Sequence, residues 1–206
     1  MEQNNMKKRY YKNMQVFIFL YFISHISVAI GLTADEIVYE TTQEVLNRLE
    51  SDKERLQTEK KYIKVIVREL IMPHMDFKTM SSLALGDNWE ILNGGKQACL
   101  SRGFKNLLVE RYAHVLLSYR DHDIFYQTAK PIGEKDYVSV IQTLTRPETK
   151  SSTIEYRMHP DGDSWRVADL LIDDISLIKN YRKMFHKEIK LNGLVDFIKS
   201  FKECSS

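Results

Sequence analysis

The chain has 206 residues with 30 Lys and Arg against 28 Asp and Glu, and its first 31 positions hold four of those bases but one acid, so residues 32–206 carry 26 basic and 27 acidic side chains. A near-neutral body lacks the clustered cations that displace counterions in sequence-independent nucleic-acid binding, so no nucleic-acid partner is expected. Cys99 and Cys204, the only cysteines, have no zinc-type spacing.

Lys7, Lys8, Arg9 and Lys12 precede an apolar run over residues 16–30 that is interrupted at Ser24 and His25 and followed by Gly31 and Ala34. This order predicts a secretory signal peptide over residues 1–31, cleaved between 29 and 34. Its unbroken apolar part, residues 16–23, is eight residues long, whereas a spanning helix needs roughly 20. An uncleaved anchor is the alternative. Residues 32–206 are expected to form a single domain, which is long enough to bury its own core.

Ile37, Thr41, Val45, Leu49 and Leu56 recur at helical intervals and predict an amphipathic helix from Asp35. Tyr62, Ile63, Ile66, Val67, Leu70 and Ile71 predict a second helix, ended by Pro73. Asp76 is placed to cap a short helix carrying Phe77 and Met80, with Gly86 as its stop. Asn93 is placed to cap a longer helix with Leu100, Phe104, Leu107, Leu108, Tyr112, Val115 and Leu116 on its buried side, although Gly95 and Gly103 weaken it.

Beyond Asp121 the period becomes two. Residues 124–128, 137–144, 153–158 and 165–172 read as strands separated by turns at 131–133, 146–149 and 160–163. Three turns between four short strands predict an antiparallel meander. Leu177, Ile178, Tyr181 and Phe185, then Leu194, Phe197, Ile198 and Phe201 beyond Gly193, return the chain to helix. The expected fold is α+β, a curved antiparallel sheet of about four strands wrapped by N- and C-terminal helices.

No catalytic motif emerges. His74 with Asp76, and His122 with Asp123, fall short of the three or four converging ligands of a metal site, and no metal or other cofactor is expected. Asp174 is placed to cap the helix near Ser176, while Asp169 is expected on the wet side of its strand. An oxidising compartment would permit a bond between Cys99 and Cys204, but Cys204 sits in a terminal tail, which argues against it. Met72, Met75 and Met80 form a cluster of flexible thioethers suited to irregular apolar partners or to an ordinary core.

In one order, Pro73 to Trp89 with Asp76, Phe77, Met80 and Gly86, then Phe104 to Leu108 with Tyr112, then Trp165 to Val167 with Asp169, then Ile175 to Ile178 with Asn180 to Arg182, resemble the MlaC family of periplasmic phospholipid-binding carriers. Ala168, Gly94, Gly95, Cys99 and Gly103 depart from its pattern. The resemblance implies a layout related to the nuclear-transport-factor-like cone, a location in the periplasm, and no enzymatic activity. It also implies three partners: phospholipid, an MlaA-like outer-membrane lipoprotein complex, and an ATP-driven inner-membrane transporter reached through its MlaD-like subunit.

Such a carrier would shuttle lipid between the two membranes and maintain outer-membrane lipid asymmetry. Its expected lipid site comprises Ile175, placed where the last strand gives way to helix, with Val167, Leu171 and Tyr181 as neighbours and Met80, Leu108, Tyr112 and Ile178 as further contacts. Two alternatives remain at this level: an isomerase-like enzyme on a cone-shaped fold, using Asp169 or Asp173 with a tyrosine, and a periplasmic adaptor that binds only proteins. Fold alone does not separate them.

Overall fold

The computed structural model describes residues 31–133 and 136–204. The expected leader, residues 1–31, lies outside the described residues apart from Gly31, and Leu32–Ser206 forms one unit. Among the described residues, no helix is long and apolar enough to cross a membrane.

Helix α1 (Ala34–Ser51) opens on a capping box in which Thr33 Oγ1 accepts from the Glu36 N–H and the Glu36 carboxylate accepts from the Thr33 N–H. It buries Ile37, Val38, Val45 and Leu49. The predicted single helix breaks at Asp52, whose carboxylate accepts from Arg48 Nε at 2.5 Å and from the Tyr62 hydroxyl at 2.8 Å, and α2 (Lys53–Thr58) follows. These bonds fold the chain back toward the next element.

That element is irregular where a plain helix is expected: a 3-10 turn, α3 (Ile63–Ile66), a π turn (Val67–Ile71) and a second 3-10 turn (Met72–His74). Pro73 sits inside the last turn, consistent with its missing N–H and fixed φ. Asp76 then caps α4 (Phe77–Leu85), accepting from the Thr79 N–H at 3.0 Å, and Gly86 ends it at φ 58°. Asn93 caps α5 (Gly94–Tyr112), which passes into a 3-10 stretch (Ala113–Tyr119).

The sheet has six antiparallel strands, two of them very short: β1 (Asp123–Tyr126), β2 (Lys130–Ile132), β3 (Tyr137–Thr145), β4 (Ser152–Asp161), β5 (Ser164–Ile172) and β6 (Ile175–Ser176). The order is β1-β3-β4-β5-β6, and β2 pairs with β3. Residues expected in a turn at 131–133 therefore include part of a strand. Asp173 and Asp174, with φ 47° and 66°, make the tight connection from β5 to β6, the positive-φ pair of a type I′ hairpin. Asp174 is thus a turn residue, and Ser176 is the cap of α6 (Leu177–Lys199), accepting from the Lys179 N–H at 3.0 Å.

Helices α4, α5 and α6 pack together. Phe104, Tyr181, Phe185, Phe197 and Phe201 join in edge-to-face and tilted ring contacts between α5 and the end of the chain. The backbone kinks within α6 at Gly193 (φ 80°), and a last 3-10 turn (Lys202–Cys204) lies against α5. There Cys204 is bonded to Cys99, with Cα atoms 5.2 Å apart.

The disulfide corrects the expectation of a loose tail. Three contacts bring Cys204 to its partner: Phe201 lies directly over Gly103, Glu203 accepts from Asn106 Nδ2 at 2.5 Å, and the Cys204 N–H donates to the Phe201 carbonyl. Gly103 is the bare surface that lets Phe201 approach.

Candidate functional site

The period of two decides what faces the helices. Directly opposed residues of an antiparallel pair share a face, and the register aligns Ile124 with Leu144, Gln142 with Ile154, Ile154 with Ile172, and Tyr156 with Leu170. These side chains make one apolar surface with a single amide in it. Between Arg157 and Met158 the register with β5 shifts, leaving Ala168 without a direct opposite and turning Val167 to the face of Met158.

Two cavities lie between this face and the helices. The first, about 100 Å³, is walled by Ile37, Thr41, Val45 and Leu46 of α1 over Ile124, Gln142 and Leu144. The second, about 160 Å³, is walled by Leu108 and Tyr112 of α5, by Ala113 and Val115 of the 3-10 stretch, and by Leu170, Ile172 and Leu177. Ile71, Met75, Leu116, Ile154 and Tyr156 line both.

Few polar groups enter, and three of them, Thr42, Gln142 and Tyr156, are joined in one chain of hydrogen bonds. The Tyr156 hydroxyl donates to Gln142 Oε1 at 2.8 Å, Gln142 Nε2 donates to Thr42 Oγ1 at 2.7 Å, and Thr42 Oγ1 donates to the Val38 carbonyl at 2.7 Å. Gln142 is thereby satisfied although only 2% exposed. His74, in the wall of the first cavity, has its pKa lowered by burial and then by the nearby Arg166 charge. The neutral imidazole is the form that suits an apolar wall.

Asp76 fixes one end of this wall. Besides capping α4, it accepts from the Thr79 hydroxyl at 2.6 Å and lies 3.0 Å from His159 Nε2, while its N–H donates to the Val167 carbonyl and so joins Met75 to β5. Burial pushes its carboxyl up, but the Thr79 and His159 hydrogen bonds outweigh that and hold it below the usual range.

The residues proposed from the sequence divide between these surroundings. Leu108 and Tyr112 line the second cavity. Met80, Val167, Leu171, Ile178 and Tyr181 are buried in the core and line neither cavity; Leu171 opposes Glu155, on the sheet face away from Leu170 and Ile172. Tyr181 stands behind the wall with a hydrogen bond to Tyr112, its pKa raised by burial first and by that bond second. Ile175 pairs with Ile172 at the sheet's edge and is 69% exposed, so it flanks the cavity instead of facing its interior.

Sequence reading missed Tyr156, Ile154, Gln142 and Met75 as joint walls. Alternation along β4 could have singled out Ile154 and Tyr156, but nothing local marks which sheet face is hollow.

The two carboxylates considered for acid-base work are engaged elsewhere. Asp169 is not on the wet side: it is 8% exposed and accepts from the Ser176 hydroxyl at 2.6 Å and the Ile178 N–H at 3.1 Å, bracing the start of α6. Asp173 accepts from the Thr153 N–H and then from the Ser152 hydroxyl, which hold its carboxyl low. Neither lines a cavity. Among the described residues, no group of three or more His, Cys, Asp or Glu side chains is placed to hold a metal ion.

A solved phospholipid-binding protein from Ralstonia solanacearum, in complex with a phospholipid, superposes with a TM-score of 0.70 at 24% identity, covering 82% of this chain and 96% of that one. The intermembrane phospholipid transport system binding protein MlaC of Haemophilus influenzae is 16% identical over 82% of this chain and 81% of its own length. The toluene tolerance protein ttg2D of Pseudomonas putida is 23% identical over 78% of this chain and 75% of its own. The MlaC protein family profile matches residues 39–203, most of the chain, and on that match this protein belongs to the MlaC family.

Proposed function

We propose that this protein is a periplasmic phospholipid carrier that holds acyl chains between the concave sheet face and the helices and passes lipid between the two membranes. The observation that carries this reading is the pair of adjoining apolar cavities in a chain of this family. Exposing acyl chains to water costs about 0.8 kcal/mol per CH₂, so two ordinary chains oppose unassisted crossing by on the order of 20 kcal/mol. Apolar walls lower that barrier without chemistry, and the protein is not an enzyme in this reading.

The cavities, at about 100 and 160 Å³, are narrow beside the roughly 300–1,000 Å³ of small-molecule sites. Admission of lipid therefore requires a wall to move. The irregular stretch from Lys60 to His74 and the 3-10 stretch Ala113–Tyr119 are the walls suited to it, because broken helical geometry holds its hydrogen bonds less well than a straight α-helix.

An MlaA-like complex at the outer membrane and an MlaD-like subunit of an ATP-driven transporter at the inner membrane are the proposed protein partners, and residues 1–31 are the proposed cleaved leader. The isomerase-like alternative has less support, since Asp169 and Asp173 are held in structural hydrogen bonds away from the cavities.

Lipid extraction and mass spectrometry of protein purified from periplasm, followed by transfer between donor and acceptor vesicles, test the proposal. About one phospholipid per protein and accelerated transfer are expected. Protein that is lipid-free and takes none from vesicles would overturn it. The intact mass of the same preparation reads the position of leader cleavage.

A further inference from the structure

We infer that the cavity is divided into two lobes that each take one acyl chain, with Ile154 and Tyr156 as the septum, so that the protein holds two chains whether they belong to one lipid or to two. This rests on the phospholipid reading above and adds to it a rule for what fits.

The division follows from strand order. β4 lies between β3 and β5; one lobe sits over β1 and β3 beneath α1, and the other over β5 beneath α5 and the 3-10 stretch. The inward residues of β4, Ile154 and Tyr156, therefore run along the boundary and line both lobes. From the helical side Ile71, Met75 and Leu116 meet the same boundary.

The septum is anchored on its polar side. Tyr156 is bonded to Gln142, Gln142 to Thr42 and Thr42 to the Val38 carbonyl, a ladder that crosses from β4 to α1. An acyl chain has no donor or acceptor with which to replace these bonds. Pushing Tyr156 aside would strand the carbonyl oxygen of Gln142 among apolar groups, an unfavourable state for a buried amide. Chains entering the cavity thus meet a divider that resists displacement, while Met75, opposite, is a flexible thioether able to adjust.

The test fills one lobe at a time. Leu46→Trp narrows the lobe beneath α1, Thr41→Phe narrows the same lobe from an adjacent turn, and Leu170→Trp narrows the lobe over β5. Each variant, with wild type, is stripped of lipid and offered a two-chain phosphatidylglycerol or its single-chain lyso form, and bound molecules are counted by native mass spectrometry. Circular dichroism selects the folded variants, and the two substitutions beneath α1 substitute for one another.

Wild type is expected to hold one two-chain lipid or two lyso lipids. A filled-lobe variant is expected to hold one lyso lipid and to lose two-chain binding at least tenfold. Wild type that saturates at one lyso lipid, or a filled-lobe variant that retains two-chain lipid as wild type does, would overturn the two-lobe inference. Wild type that binds neither probe would instead remove the phospholipid reading on which it rests.

Discussion

Gly103→Ala sets two effects of similar size against each other. Inside α5 the substitution should favour the helix by about 1 kcal/mol. The new Cβ would, however, lie 2.5 Å from Phe201 Cδ1, 3.1 Å from Phe201 Cβ and 3.1 Å from Glu203 Oε2. Phe201 has little room to retreat: its ring is 5.3 Å from that of Phe197 and 6.1 Å from that of Phe185, and Cys204, three residues on, is tied to Cys99. Overpacking of this kind costs about 1–3 kcal/mol, so the variant should be less stable by about 1 kcal/mol, a fall in Tm of about 2–4 °C.

The control is the same change in a Phe201→Ala background, where the obstruction is gone and Gly103→Ala should stabilise. Urea unfolding of the four oxidised proteins gives a double-mutant cycle with an expected coupling of about 2 kcal/mol. Stabilisation by Gly103→Ala alone, or an equal effect in both backgrounds, would refute the reasoning.

Three further outcomes are expected. Replacing both cysteines with serine, or reducing the protein, opens a linkage spanning 105 residues and should lower unfolding stability by about 4 kcal/mol in urea titrations, the size expected for so long a loop. Asp76→Ala should cost about 1 kcal/mol through the lost cap. Because the folded Asp76 carboxyl is held low, its contribution is complete above the ordinary value of about 3.9 and is lost as pH falls through the folded value, so acid titration of Asp76→Asn should show a shallower loss than wild type. Ile175→Glu, at a side chain 69% exposed, should leave stability within about 0.5 kcal/mol, whereas Ile154→Glu should remove copurified phospholipid; lipid extraction of both variants checks the contrast.

Local structure was legible where local chemistry sets it. Asp76 and Asn93 cap their helices because a short acceptor side chain reaches the N–H three residues on, and Gly86 stops α4 because a positive φ carries no penalty for glycine. The β3, β4 and β5 strands follow from alternation, and the order of helix and strand signals was enough for an α+β meander. What sequence alone did not decide depends on groups far apart in the chain. The Cys99–Cys204 bond needs Phe201 to find Gly103; the burial of Asp169 needs the first turn of α6 to fold back on β5; and the inward turn of Val167 needs the register shift opposite Met158. Alternation separates two faces of a strand without saying which one a helix will cover closely and which will stand over a hollow. Only the placement of α1, the irregular helix and α5 above β4 made Ile154 and Tyr156 the shared wall of the cavity, because packing is settled by volumes contributed from several segments at once.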